Sequence, residues 1–178
     1  MTDYKIAYFK KIAQYYPVDI INAHDDFGAN DRMFMSPDTW RELYKPHMKC
    51  LVDAVHDMGL IYQHHSCGYV EPIIEDLVEI GVDALDTLQA CNTNVGALKE
   101  KFGKQLTFCD RFNTNGVLDV VGVSPEEIKA EYRRVIDLLA PGGSYVIYPI
   151  GLTFGFVGPF LEEHFQYGMG FYANPANR

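Results

Sequence analysis

Gly59-Leu60-Ile61-Tyr62-Gln63-His64-His65-Ser66-Cys67-Gly68 is the stretch that decides the fold. A glycine suited to ending a helix leads into a short apolar run, and the run ends in polar residues. The phrase recurs along the chain: Gly81 precedes Val82 to Leu88, Gly103 precedes Lys104 to Cys109, and Gly143 precedes Ser144 to Tyr148. An earlier strand, Val18 to Ala23, lacks the glycine but has the same polar exit. Strands alternating with helices at this spacing are parallel βα units, in an open doubly wound sheet or in part of a barrel.

The helices between them carry their own signals. Ser36-Pro37-Asp38 and Ser124-Pro125-Glu126-Glu127 each place a hydroxyl at the N-cap, proline at the first helical position and an acid in the first turn. After the first, Trp40, Leu43, Tyr44, Met48, Leu51, Val52, Val55 and Met58 fall on one face, with a bend expected at Pro46. After the second, Ile128, Tyr132, Val135, Ile136 and Leu139 do the same. Both stripes read as core. A further helix is expected over Tyr4 to Tyr15. A doubly wound sheet would carry a glycine-rich phosphate loop after its first strand. This chain has His24-Asp25-Asp26-Phe27-Gly28 there, which offers acids where a phosphate needs bare N–H groups. The expectation is therefore a single α/β domain over residues 1–178, a partial TIM (β/α) barrel of about five parallel strands. A closed barrel has eight strands in about 250 residues, so the chain is expected to be the C-terminal part of one, or to pair with another chain.

Composition narrows the function. With 15 Lys and Arg against 24 Asp and Glu, the net charge is −9, and the basic residues are scattered, which argues against a nucleic-acid surface. No apolar run approaches the roughly 20 residues of a membrane span, and Met1 to Lys11 is unlike a signal peptide. A cytoplasmic location is expected, and with it free thiols or metal ligands at Cys50, Cys67, Cys91 and Cys109.

In a barrel of this type the strand exits form one chemical surface. The exits are His24, Asp25 and Asp26; then His64, His65, Ser66 and Cys67; then Asp86 and Gln89; then Cys109, Asp110 and Arg111; then Tyr148. His65 and Cys67 are two residues apart on or just past a strand, so their side chains share a side, and zinc accepts that pairing of nitrogen and sulfur. A third ligand must come from another strand, with Cys109, Cys91, Asp86 and His24 as candidates by topology. The plainer reading makes Cys67 a small buried hydrophobe and His65 a hydrogen-bonded core residue. Asp25 and Asp26 are candidates for catalysis or for capping the next segment. Arg111 at a barrel mouth pairs with an acid, Asp110 being the neighbour, or holds a substrate anion. His24, Gln89, Asp110 and Tyr148 are candidates for substrate binding. His47 and His56 read as surface residues, and Cys50 as packing.

The motifs resemble a known family. Asp25-Asp26-Phe27-Gly28, then Ser36-Pro37-Asp38-Thr39-Trp40-Arg41 and Lys45-Pro46, are similar to the segment before the long helix of uroporphyrinogen decarboxylase-like proteins. His65-Ser66-Cys67-Gly68 resembles the His-x-Cys-Gly motif of the methyltransferase branch. Glu79 to Leu85, Leu98-Lys99 with Phe102-Gly103, and Ser124 to Ile128 follow in the family order. The resemblance implies a full barrel and corrinoid-dependent methyl transfer, with zinc held by the His and Cys of the motif and a later Cys. Zinc there activates an acceptor thiol towards a methyl group on a corrinoid carried by a partner protein. The family's later Cys belongs where this chain has Tyr148-Pro149-Ile150-Gly151, with no thiol, and Cys109 is the expected substitute. The resemblance thus assigns His65, Cys67 and Cys109 to the metal and leaves Asp25, Asp26 and Arg111 for catalysis. Its expected partners are a corrinoid protein or small methyl acceptor, and a second copy or complementary barrel half. A non-catalytic half-barrel is the alternative. Decarboxylation of a tetrapyrrole is a further one, although the Gly-His-Gly and Gly-Asn-Leu-Asp stretches of true decarboxylases are not kept, and their catalytic Asp and carboxylate-binding arginines belong to a preceding N-terminal part.

Overall fold

The computed structural model describes residues 1–148, 151 and 154–177. It has the expected architecture, an α/β partial (β/α) barrel in which five parallel strands follow chain order with helices between them. The chain divides into two compact units, Met1–Thr87 and Leu88–Arg178.

The first unit begins with helix α1 (Thr2–Tyr15) and strand β1 (Ile20–His24). Helices α2 (Pro37–Leu43) and α3 (Lys45–His56) lead to strand β2 (Ile61–His65), and α4 (Ile74–Glu79) leads to strand β3 (Ala84–Asp86). β1 pairs with β2 and β2 with β3, both in parallel. The register places His24 beside His65 and His65 beside Asp86, so the strands end in one row of polar tips. Trp40, Val52, Val55, Tyr62, Leu77 and Leu85 are completely buried and form the core. Burying side chains of this size contributes about 1.5–3 kcal/mol each.

The single bent helix expected after Ser36 is two helices. α2 stops at Tyr44 (φ −110°), and α3 restarts with Pro46 in its first turn, where the missing N–H costs nothing. The two segments therefore do not share one continuous face. Leu43 and Tyr44 are exposed, whereas Met48, Leu51, Val52 and Val55 are buried. Cys50 is exposed rather than packed. The strands are also shorter than their apolar runs, because helix C-caps consume the first residues: the Val82 N–H is bonded to the Leu77 carbonyl. Gly59 and Gly81 take positive φ (73° and 91°) and release α3 and α4, as their places in the repeat require.

The second unit holds α5 (Val95–Phe102), β4 (Thr107–Cys109), α6 (Pro125–Leu139), β5 (Tyr145–Val146), α7 (Val157–Glu163) and α8 (Met169–Ala173). β4 and β5 are parallel. Ser124 and Glu127 form a reciprocal capping box at the start of α6, and its predicted stripe, Ile128, Tyr132, Val135, Ile136 and Leu139, is buried. Phe160 of α7 meets Tyr132 and Phe112 edge-on at centroid distances of 4.9 and 4.8 Å. No described helix is long and apolar enough to cross a membrane.

Candidate metal centre

The site is built on the polar tips of the first unit. His65 is the last residue of β2, and its Nδ1 lies 3.2 Å from Oδ2 of Asp86, the last residue of β3. The same oxygen accepts a bond from Asn22 Nδ2 of β1 at 3.3 Å. Asp86 is almost wholly buried. Burial raises a carboxyl's pKa, but the bonds from His65 and Asn22 outweigh it, and Asp86 is held below the usual carboxylate range. An ionised Asp86 fixes the proton of a neutral His65 on Nδ1, leaving the Nε2 lone pair directed outward. The Asp86 bond also lifts the pKa of His65 against the opposing effect of burial.

His65 Nε2 faces Cys67 Sγ at 3.4 Å and Asp26 Oδ1 at 3.8 Å. Asp26 is the only acid, and no other group joins them, in the cluster of candidate ligand atoms found among the described residues; all three lie within 4.8 Å of one another. Two ligands on a tetrahedral zinc, with bonds of about 2.0–2.3 Å, stand roughly 3.4–3.6 Å apart. At 3.4 and 3.8 Å the two separations from His65 Nε2 are close to that spacing, and nitrogen, sulfur and oxygen are donors that zinc takes. Asp86 behind His65 supplies the carboxylate that metal-binding imidazoles characteristically use for orientation. His65 is well shielded, at 13 % side-chain exposure, whereas Asp26 is half exposed at 52 %, so one side of the cluster is open to solvent. The Cys67 thiol is pushed up, first by burial and then by the Asp26 carboxylate, and stays protonated near neutrality.

Two crossing loops hold the set together. The loop after β1 and the loop after β2 approach so closely that a Cβ on Gly68 would lie 2.3 Å from the backbone of Gly28, and one on Gly28 would lie 2.5 Å from Tyr69 O. Gly68 has φ +78° as well. Around the crossing the Phe27 N–H bonds to Ser66 Oγ (2.9 Å), the Cys67 N–H to Asp26 Oδ1 (2.8 Å) and the Tyr69 N–H to Ala29 O (2.8 Å). Asp26 thus presents one oxygen to both the backbone of Cys67 and the ring of His65.

The other candidates are placed as follows. His24 is stacked on His65 with ring centroids 4.3 Å apart. Asp25 pairs with Lys5 of α1 and does not cap the segment that follows. His64 points to the opposite face from His65 and is buried against Phe27. Cys109, Asp110, Arg111, Gln89 and Tyr148 belong to the second unit: Cys109, Asp110 and Arg111 are buried at the end of β4, and Tyr148 is exposed. In the loop after β5, Pro149 and Ile150 lie outside the described residues. His47 and His56 are at the surface, as expected.

Asn22, Gly28 and Gly68 were not candidates from the sequence, and Asp86 was weighed there as a ligand rather than as a support. The signal for the glycines was present: each closes a polar exit, Asp25-Asp26-Phe27-Gly28 and His65-Ser66-Cys67-Gly68.

A parallel βα chain whose strand tips gather an imidazole, a thiol and a carboxylate has the form of part of a (β/α) barrel. The sequence profile of the uroporphyrinogen decarboxylase (URO-D) family matches residues 1–150, and the chain belongs to that family. Among solved structures it is similar to a methyltransferase from Methanosarcina mazei, with a TM-score of 0.72 and 19% sequence identity. The match covers 94% of this chain and 47% of the other, so the chain spans about half the length of that structure. No curated protein sequence matches the chain.

Proposed function

We propose that this chain carries the zinc-binding portion of a corrinoid-dependent methyltransferase, in which a thiol acceptor takes a methyl group from a corrinoid protein. The observation that carries the reading is the convergence of His65 Nε2, Cys67 Sγ and Asp26 Oδ1, backed by Asp86. Zinc is the metal this nitrogen, sulfur and oxygen set favours, and when bound it supplies Lewis acidity that lowers the pKa of an acceptor thiol. Family membership and the likeness in fold to a methyltransferase support the same direction.

Each residue then has a stated task. His65 donates through Nε2 because Asp86 holds its other nitrogen. Cys67 contributes sulfur once its proton is lost, so metal loading releases protons, chiefly from this thiol, whose pKa is raised in the free chain. Asp26 supplies the third ligand from β1's exit, a role first sought at Cys109. The stacked ring of exposed His24 borders the solvent side, where an acceptor would enter. Metal analysis of the purified chain tests this: about one equivalent of zinc is expected in the wild type, with clear loss in Cys67→Ser. Less than roughly a tenth of an equivalent in the wild type after growth and purification with zinc would remove the proposal.

A second reading, in which the chain is a half-barrel that acts only with a complementary half or second copy, is favoured by β1 and α1. Ile20 on β1 and Tyr4, Tyr8, Tyr15 and Tyr16 around α1 are exposed, and parallel strands are ordinarily covered. Light scattering distinguishes them, since a stable monomer at micromolar concentration contradicts obligatory assembly.

A further inference from the structure

Arg111 stands in the second unit just past β4, with only 7% of its surface exposed. Its Nε and Nη1 are shielded from solvent and have no hydrogen-bond partner among the described residues. The sequence alternative, that Asp110 takes up this guanidinium, is not met at those two nitrogens.

Four groups act on the charge electrostatically: Arg134 repels it, while Glu131, Cys91 and Asp110 attract it. The two carboxylates are engaged elsewhere. Glu131 holds Arg134 through both oxygens at 2.7 Å and also accepts the Asn113 N–H at 2.7 Å. Asp110 Oδ1 accepts the Phe112 N–H at 3.2 Å. Cys91, whose thiol is pushed up by burial, offers no formal charge at neutral pH. The backbone is also unusual: Asp110 and Arg111 have φ of 66° and 86°, two successive non-glycine residues in the left-handed region. Two strained residues in succession turn the chain so that the Arg111 side chain is buried rather than left in water, where it would need no partner.

Buried donors are almost always satisfied, and an unpaired buried guanidinium is among the costliest groups a fold can carry. Its planar fork is suited to oxyanions more than to any other partner. We propose that Arg111 is the receptor for an anionic group of a small-molecule ligand, a carboxylate, sulfonate or phosphate, bound by the second unit. The proposal does not depend on zinc in the first unit.

The test is the melting of the full chain, wild type and Arg111→Met, in sodium acetate, sulfate or phosphate against sodium chloride at matched ionic strength. The wild type should gain a saturable rise, roughly 5–10 °C once the anion exceeds its Kd about a hundredfold. The Met variant should show only the shallow trend that such salts impose on any protein, and without anion should melt at or above the wild type, because two buried donors that lack a hydrogen-bond partner have been removed. Which of the three anions acts identifies the oxyanion class. Equal responses in both proteins overturn the proposal. Should the Met variant fail to fold, the wild-type Arg111 Nε–H resonance, identified by its absence from Arg111→Lys, must move as the anion is added. A resonance unmoved at saturation by all three anions overturns the proposal equally.

Discussion

Replacing Gly68 with alanine tests whether the crossing of two loops holds the proposed metal centre together. The added methyl carbon would lie 2.3 Å from both the carbonyl carbon and oxygen of Gly28 and 2.7 Å from Ala29 O, all backbone atoms that cannot rotate away. Gly59 provides the control, since its φ of +73° is nearly the same as Gly68's +78° while nothing lies within 4 Å of its added Cβ. The left-handed conformation alone costs an alanine about 1–2 kcal/mol, and this is the whole loss expected for Gly59→Ala. Gly68→Ala adds the cost of forcing two backbones apart, about 1–3 kcal/mol, for a total of roughly 2–5 kcal/mol. That is a large fraction of the 5–15 kcal/mol or so that keeps a domain folded. Urea denaturation of the metal-free proteins measures both losses, and zinc titration of the folded variants measures the site. Separation of the loops breaks the Cys67 N–H bond to Asp26, so zinc affinity should fall in Gly68→Ala and stay unchanged in Gly59→Ala. Equal destabilisation by the two substitutions, or unaltered zinc affinity in Gly68→Ala, would refute the argument.

Two further outcomes follow from the same unit. Asp86→Asn keeps the shape but removes the charge that orients His65, so zinc affinity should drop about 10–100-fold, and the His65 pKa followed by NMR in the metal-free protein should move down; an unchanged affinity would show that Asp86 is only packing. His64 is completely buried, and burial, reinforced by the charges of His65 and Lys5, depresses its pKa to about 3 against a weaker opposing bond with the Asp25 backbone. A depressed folded pKa means that the unfolded chain takes up the proton first, so His64 costs no stability above about pH 6.5 and imposes a penalty that grows from there towards pH 3 at up to about 1.4 kcal/mol per pH unit. His64→Phe, which retains the stack on Phe27, should remove that slope in EDTA-treated protein, and denaturation at pH 7, 5.5 and 4.5 showing the same slope in both proteins would contradict it.

The sequence made the fold legible because its punctuation is local. A glycine after a helix and a serine-proline pair before one act within a few residues, so the order of helices and strands could be read without knowing the packing. The pairing of His65 with Cys67 was legible for the same reason: a separation of two along an extended strand puts both groups on one side, and their atoms meet at 3.4 Å. Register was not legible. Nothing local to Asp86 shows that it stands beside His65, and nothing local to Asn22 shows that both share one carboxylate oxygen, since each contact joins neighbouring strands. The split between α2 and α3 was missed because Pro46 was read as a bend, although proline is equally at home in a first turn.

The same distinction explains why Asp26 was not picked out as the neighbour of His65 and Cys67. A cysteine was expected because the family resemblance supplies one, whereas Asp26 reaches the site through the crossing of two glycines, a relation that appears in the chain only as two short motifs ending alike. Once Gly28 and Gly68 are in contact, the residue two before the first and the residue just before the second must lie side by side. Asp26 and Cys67 are those residues, and the 2.8 Å bond from the Cys67 N–H to Asp26 is the consequence. A carboxylate in place of a thiolate leaves a zinc ion more electron-poor, since oxygen donates less charge than sulfur, and so a stronger Lewis acid towards an incoming thiol. If Asp26 is a ligand, Asp26→Cys should bind zinc more tightly while depressing the pKa of an added thiol less than the wild type does. Tighter binding without that change in thiol acidity would place Asp26 beside the metal rather than on it.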